Sequence, residues 1–347
     1  MIKEVILHIG SPKAGSSSIQ ASLKDFDDGE TFYASLAEVN HTLPIIVSFL
    51  DDKSIISRNT KKVRNAITKK QKHLEKLKDQ LSRKDRKRII ISGEGIAHKL
   101  NDKEKQKLIE CLCSKGANLK IVYYVREPIS FTKSIFQQQV KVNGRANLQK
   151  SFKSKHKLRL NYFYKIIPKE NIIVRKFDRD LLDNGCIVRD FSSAVGIEVD
   201  KVVNVNESLS LPALKLLYEF NKTNIASSFD QDILNARWKT VNTIMNCYKD
   251  FEPIDKKLFA PFADFSEVEY LNKVTNIKFR KPDLIEESNL DEYLGKTQDI
   301  DLNILCRELN NIDGKNYLTK SSSELTTKLF KAFLDNPKKD VSFTSKL

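Results

Sequence analysis

Val5-Ile-Leu-His-Ile-Gly-Ser-Pro-Lys-Ala-Gly-Ser-Ser-Ser-Ile-Gln20 joins an apolar run to a helix start through a glycine-bearing turn. Val5 to Ile9 is an apolar run of the kind that forms a buried strand, and Ser16 to Leu23 has the pattern of a helix start. Between them lie Gly10, Gly15, Pro12 and Lys13, and the helix opens on Ser16, Ser17 and Ser18. A glycine-bearing turn that delivers the chain onto a helix N-terminus aims several N–H groups and the positive end of the helix dipole at one point. Such a turn cradles a phosphate, and Lys13 adds a full charge to it. The plain alternative is a Gly/Ser turn that only joins a strand to a helix.

The cradle departs from the pattern used for ATP and GTP. In G-x-x-x-x-G-K-[ST] the lysine follows the second glycine. Gly10 and Gly15 keep that spacing, but Lys13 precedes Gly15 and Ser16 stands in the lysine's place. The later apolar runs end at Ser92 and Arg126, and neither ends on an Asp that would hold Mg²⁺. The expectation is a phosphate site that works without a metal, which argues against a nucleotide-dependent kinase.

The stretch His8–Gln20 resembles the 5′-phosphosulfate loop of sulfotransferases that use 3′-phosphoadenosine 5′-phosphosulfate (PAPS), where Pro-Lys-x-Gly-Thr-Thr is usual. Ser16 and Ser17 stand for the threonines and keep the hydroxyls. Tyr124-Val-Arg-Glu-Pro-Ile-Ser-Phe-Thr-Lys-Ser134 resembles the family's 3′-phosphate motif, a strand-end Arg-x-Pro followed by a serine. Ile173-Val-Arg-Lys-Phe-Asp-Arg-Asp-Leu-Leu182 and Val205-Asn-Glu-Ser-Leu209 resemble segments of bacterial, carbohydrate-sulfotransferase-like members. The resemblance runs over residues 1–220, and the remainder carries no comparable motif.

The resemblance implies transfer of a sulfuryl group from PAPS to a hydroxyl of a glycan, leaving PAP. Lys13, Ala14, Gly15, Ser16, Ser17 and Ser18 would hold the 5′ end, with Lys13 on the bridging oxygen. Arg126 and Ser134 would grip the 3′-phosphate. Sulfuryl transfer resembles phosphoryl transfer, in which positioning and charge stabilisation do most of the catalysis. A base must also take the acceptor's proton. The run Arg88–Ser92 precedes the Arg126 strand, where cytosolic members carry a histidine, and Glu94 follows it here. A carboxylate at the carboxyl end of an open α/β sheet can do that work. His98, one turn later, is the other candidate. Read without the resemblance, Glu94 caps a helix or pairs with a lysine, Arg126 pairs with Glu127, and His8 is a packed core histidine.

Composition bounds the rest. The chain has 347 residues and a formal charge of +15. It contains no apolar run long enough to cross a membrane and enters its first strand at once, which leaves no room for a signal peptide. Cys111, Cys113, Cys186, Cys247 and Cys306 are scattered without metal-ligand spacing. Reduced thiols, a cytoplasmic location and no zinc site are therefore expected.

Strands are predicted near 4–9, 31–35, 87–92, 120–125 and 171–176, with helices at 16–24, 56–86, 102–115 and 129–142. The alternation predicts a P-loop-NTPase-like doubly wound parallel sheet flanked by helices. Residues 1–210 are read as the PAPS-binding core. Residues 211–347 are read as a mostly helical extension, with Ser210 capping one helix, another over 229–248, and a frayed tail after Pro337. Between Lys53 and Arg88 stand fifteen Lys and Arg against three Asp and Glu. Val63, Ile67, Leu74, Leu77 and Leu81 mark an apolar stripe on this basic helical insertion. It is either a solvated helix or a rim that gathers an anionic acceptor: an acidic glycan, a lipid-linked glycan or an anionic membrane face. A non-catalytic nucleic-acid binder is the remaining alternative, but no nucleic-acid motif accompanies the helix.

Overall fold

The structure, a computed structural model, describes residues 1–51, 68–147, 152–205, 208–223, 230–285, 287–318 and 321–337. By chain contacts it divides into two compact units. The first comprises Met1–Pro128, Lys153–Asn206 and Phe265–Lys281; the second comprises Ile129–Phe152, Glu207–Asp264 and Pro282–Leu347. The two units interleave along the chain. Residues 265–281 belong with the first unit because Leu271 and Phe279 are buried in its core.

In the first unit the apolar runs become β1 (Glu4–His8), β2 (Thr31–Tyr33), β3 (Arg88–Ser92), β4 (Asn118–Arg126) and β5 (Ile172–Phe177). They form one sheet in the order β2-β3-β1-β4-β5, and every pairing is parallel. The fold is thus α/β, with a five-stranded parallel sheet flanked by helices. Side chains alternate between the two faces, as the strand repeat requires. Val5, Leu7, Ile89, Ile91, Ile121, Tyr123 and Val125 pack on one face, and Ile6, Ile90, Val122 and Tyr124 on the other.

Helices cover both faces. α1 (Ser16–Leu23) lies on the second face, where Ile19 and Leu23 are buried. On the first face are α2 (Thr42–Phe49), α3 (Lys70–Leu81), α4 (Ile96–Lys99), α5 (Asp102–Cys113) and α7 (His156–Ile166), contributing Ile45, Leu77, Ile96, Leu108 and Phe163. Between α5 and α7 in the chain, α6 (Pro128–Asn143) runs from the end of β4 into the second unit. α8 (Ile187–Val195) joins α1 on the second face through Ile187, Val188 and Phe191.

The first part of the basic helix expected over 56–86, residues 56–67 with Val63 and Ile67 included, lies outside the described residues. Its described part, α3, stops at Leu81 rather than 86. Beyond it the chain turns, and Arg83 and Arg86 pair with Asp27 and Asp85. The second unit is helical, as expected. α9 (Leu211–Lys222), capped by Ser210, lies with α10 (Gln231–Cys247), α13 (Asn303–Asp313) and α14 (Ser322–Asp335) around Leu217, Phe220, Ile244, Leu309 and Phe333. The short helices α11 (Val268–Val274), in the first unit, and α12 (Leu290–Gly295), in the second, complete the set among the described residues. The tail after Pro337 and the centre of Val205–Leu209 fall outside the described residues.

Adjacent tyrosines on β4 tie the sheet to both helical layers. Tyr123 points to the first face, where its hydroxyl lies 2.8 Å from His156 Nδ1. Tyr124 points to the second and donates to Asp190 Oδ1 at 2.6 Å. Asp190 is buried on α8 and also accepts two bonds from Arg175 of β5, at 2.6 and 2.7 Å. Asp190→Ala should destabilise the protein by about 2–4 kcal/mol, because two donors lose a charged acceptor inside the fold. The Arg175 side chain is 39% exposed and recovers some hydration, which keeps the loss below that of a sealed pair. Urea denaturation read by circular dichroism checks this, and an unchanged midpoint would remove the triad from the forces holding α8.

Candidate functional site

Because all strands run parallel, the segments that follow β1, β3 and β4 emerge at the same edge of the sheet, where ligands of such folds bind. These are the Lys13 loop, the Glu94 segment and Arg126. His8 and Ser92 are register partners at the ends of β1 and β3, and Gly93 N–H donates to the His8 carbonyl at 2.9 Å.

The loop from Gly10 to Gly15 is wound through three left-handed residues, with φ of 22° at Gly10, 64° at Lys13 and 79° at Gly15. Gly15 must be glycine on two counts. Its φ disfavours any side chain, and a Cβ there would lie 2.7 Å from Ile187 Cγ1 and 3.0 Å from the Phe177 ring. Lys13 adopts the left-handed form despite its side chain, at a cost of about 1–2 kcal/mol. Arg126 holds it there, donating from Nη1 to the Lys13 carbonyl at 2.7 Å.

Gly15 is the N-cap of α1 and offers no side-chain cap. The amides of Gly15, Ser16 and Ser17 have no acceptor among the described residues, so the helix opens with donors turned toward the loop. Ser16 is buried, and its Oγ has no partner among the described residues. Ser17 is exposed. A buried hydroxyl without a partner, beside three amides and a lysine, is what an oxyanion would satisfy.

Ser18 departs from the sequence expectation. Its hydroxyl accepts from Val205 N–H at 3.0 Å and donates to Val205 C=O at 3.2 Å. One turn later, Ser22 accepts from Val203 N–H at 2.8 Å. The two serines pin the 203–205 segment along α1, so the Ser18 hydroxyl is engaged within the fold. Ser11, also in the loop, is buried, and its hydroxyl donates to the Pro12 carbonyl at 3.5 Å.

Arg126 stands at the end of β4 with its guanidinium 5.1 Å from the centre of the Phe177 ring. Burial pulls its pKa down to about 10, Glu127 opposes that shift, and Arg179 adds to it. Its Nε has no partner among the described residues. A buried guanidinium that holds the loop with one nitrogen and leaves another unsatisfied is suited to an anion. Ser134 lies on α6 within the second unit, whereas Arg126 belongs to the first.

Glu94 follows β3, and its pKa is raised by burial, an effect offset in part by the cations Arg159, Lys13 and Lys99. His98, on α4, has its pKa depressed to about 4, first by burial and then by Arg159 and Lys99. His8 is a core histidine, as expected. It is fully buried between Phe191 and Tyr124, its pKa is pulled down to about 3 by burial, and its Nδ1 lies 2.8 Å from Ser92 Oγ.

Arg159 is the residue that sequence reasoning missed. It lies on α7, is 5% exposed, and reaches both candidate bases. Its Nη1 is 2.6 Å from His98 Nδ1 and 3.4 Å from the Glu94 carbonyl. Nothing in Lys-Leu-Arg-Leu-Asn distinguishes a buried arginine from a solvated one. Among the described residues, no group of His, Cys, Asp and Glu is placed to hold a metal ion, and no helix is long and apolar enough to cross a membrane.

No family model matches the chain, and no solved structure matches it. The chain is similar to an uncharacterized protein of Archaeoglobus fulgidus, with 30% identity over 167 residues. That stretch covers 45% of this chain and 43% of the archaeal protein, so the chain spans less than half the length of the relative it matches.

Gly15→Ala tests the loop directly. The left-handed φ and the clash with Ile187 should together cost about 1–3 kcal/mol. Ile187→Ala should cost less in the Gly15→Ala background than alone, since it removes the atoms in collision. Additive losses in a denaturation cycle would show that the two positions do not touch.

Proposed function

We propose that this chain is a PAPS-dependent sulfotransferase built on a P-loop-like sheet, transferring a sulfuryl group to a hydroxyl of a glycan or related anionic acceptor. The observation that carries the reading is the joining of its motifs at one sheet edge. Arg126 of the second motif bonds the Lys13 carbonyl of the first, and the carboxylate of Glu94 lies within the field of Lys13. The strand order β2-β3-β1-β4-β5 supports the same reading by setting β1 between the strands that carry Glu94 and Arg126.

The residues fit a nucleotide bearing phosphates at both ends. Ser16 Oγ is a buried orphan, and Arg126 Nε is another. On this reading the acceptor hydroxyl attacks sulfur. A new O–S bond forms and the bridging S–O bond breaks, its electron pair going to the 5′-phosphate of PAP. Lys13 and the α1 amides stabilise that developing charge, and Glu94 takes the proton from the acceptor. A sulfuryl group carries less negative charge than a phosphoryl group, so a lysine and a ring of N–H donors can supply the stabilisation. Burial suits Glu94 to this role by raising its pKa toward the range in which a base both exists and accepts.

PAP should raise the melting temperature in the presence of EDTA, whereas ATP with Mg²⁺ should change it little. Lys13→Ala should cut turnover about 10²–10³-fold through loss of a group aimed at transition-state charge. Arg126→Ala should weaken PAP by about 1.5–3 kcal/mol, the worth of a charged hydrogen bond.

Glu94→Gln should lower turnover about 10²–10⁴-fold while PAP affinity holds. Because the Glu94 pKa is raised, activity should fail with falling pH above the ordinary carboxylate range, and that limb should vanish in Glu94→Gln. Radiolabelled PAPS with a panel of acidic glycans checks these outcomes. Wild-type protein that neither binds PAP nor releases it from PAPS would overturn the assignment.

A further inference from the structure

Glu94 and His98 stand one turn apart and either type of side chain can accept a proton, so something must choose between them. We propose that Arg159 is a positioning residue that assigns the proton-accepting role to Glu94 by locking His98 as a neutral donor. This rests on the reading of Glu94 as the base.

The lock follows from donor chemistry. A guanidinium has five N–H donors and no acceptor, so in its 2.6 Å contact with His98 the Nδ1 atom must present its lone pair. A neutral imidazole with Nδ1 accepting carries its proton on Nε2, and neither ring nitrogen then has a lone pair to offer a substrate. Protonating Nδ1 would set an N–H against the N–H of Arg159. The same Nη1 lies 3.4 Å from the Glu94 carbonyl, so one nitrogen holds the main chain of one candidate and disables the ring of the other.

Arg159 is itself held from several sides. Its Nε donates to the Ser154 carbonyl at 3.2 Å. Its helix, α7, has its N-terminus capped by Glu267 from the distant 265–281 segment. Glu267 accepts from Ser154 Oγ at 3.3 Å, from Lys157 N–H at 3.3 Å, and from His156 N–H. His156 in turn meets Tyr123 of β4 at 2.8 Å. The charges facing Glu94 are Arg159 from α7, Lys13 from the loop and Lys99 from α4. Those facing His98 are Arg159, Lys99 and Lys155, with the Glu94 carbonyl opposing them.

The test is a nuclear magnetic resonance titration of His98 in the full chain, beside the pH profile of turnover. In wild type the ring should be the Nε2–H tautomer with a pKa near 4, where burial and the cations Arg159, Lys99 and Lys155 hold it. Arg159→Met removes charge and donor, and the His98 pKa should rise by about one unit or more. Losing that cation also raises the pKa of Glu94, so the acid limb of kcat/KM should move upward while PAP affinity stays fixed. Arg159→Lys keeps the charge without the fork and should release the tautomer with a smaller rise, which gives a readout if the methionine variant does not fold. An Nδ1–H tautomer in wild type, or a His98 pKa unmoved in both folded variants, would overturn the proposal. The titration needs no substrate, so a lack of sulfuryl transfer counts against the reaction and a fixed His98 against Arg159.

Discussion

The first unit depends on β1 being sealed on four sides. β3 and β4 pair with its two edges, and helices cover both of its faces, so Val5, Ile6 and Leu7 have no exposed surface. A strand in that position cannot slip, because moving one residue would exchange its two faces. Fixing β1 fixes where the chain leaves it, and the parallel sense places that exit beside the exits of β3 and β4. Sheet pairing therefore brings the segments of Lys13, Glu94 and Arg126 to one edge, and the bond from Arg126 to the Lys13 carbonyl fastens two of them.

What the loop does with that position is a matter of strain and hydrogen bonding. Two left-handed glycines and one left-handed lysine turn the amides of α1 inward, and the bond from Arg126 to the Lys13 carbonyl keeps them there. The same guanidinium is thus both a strut of the loop and a cation with an unsatisfied nitrogen. Ser18 and Ser22 secure the other side of α1 to residues 203–205. Hydroxyls that look alike in sequence thus divide into one buried without a partner among the described residues, Ser16, and others fastening the scaffold, according to which way the helix turns them.

Burial dominates the electrostatics of this edge. His8 and His98 are held neutral by desolvation, and Glu94 is pushed up by it. Net charge does not predict such behaviour. The chain carries +15, yet among the described residues the cations acting on Glu94 are Arg159, Lys13 and Lys99. They moderate its raised pKa without cancelling it, since removing a carboxylate from water costs more than partly solvated neighbours return.

The sequence by itself determined the strands, their alternation with helices, and the loop between β1 and α1. These rest on local properties: apolar runs, glycine at left-handed positions, a lysine between the glycines. It also marked Arg126 and Glu94, because each follows an apolar run, and the end of a buried strand is where a parallel sheet displays its chemistry. Packing of distant segments decided that Ser18 bonds the 203–205 segment, that residues 265–281 return to cap α7, and that Arg159 meets both candidate bases. Those outcomes depend on contacts between residues far apart in the chain, such as Glu267 with His156 and Arg159 with His98, 111 and 61 residues away. A periodicity or a motif reads neighbours along the chain. A buried arginine and a solvated one have the same neighbours, and only packing gives them different partners.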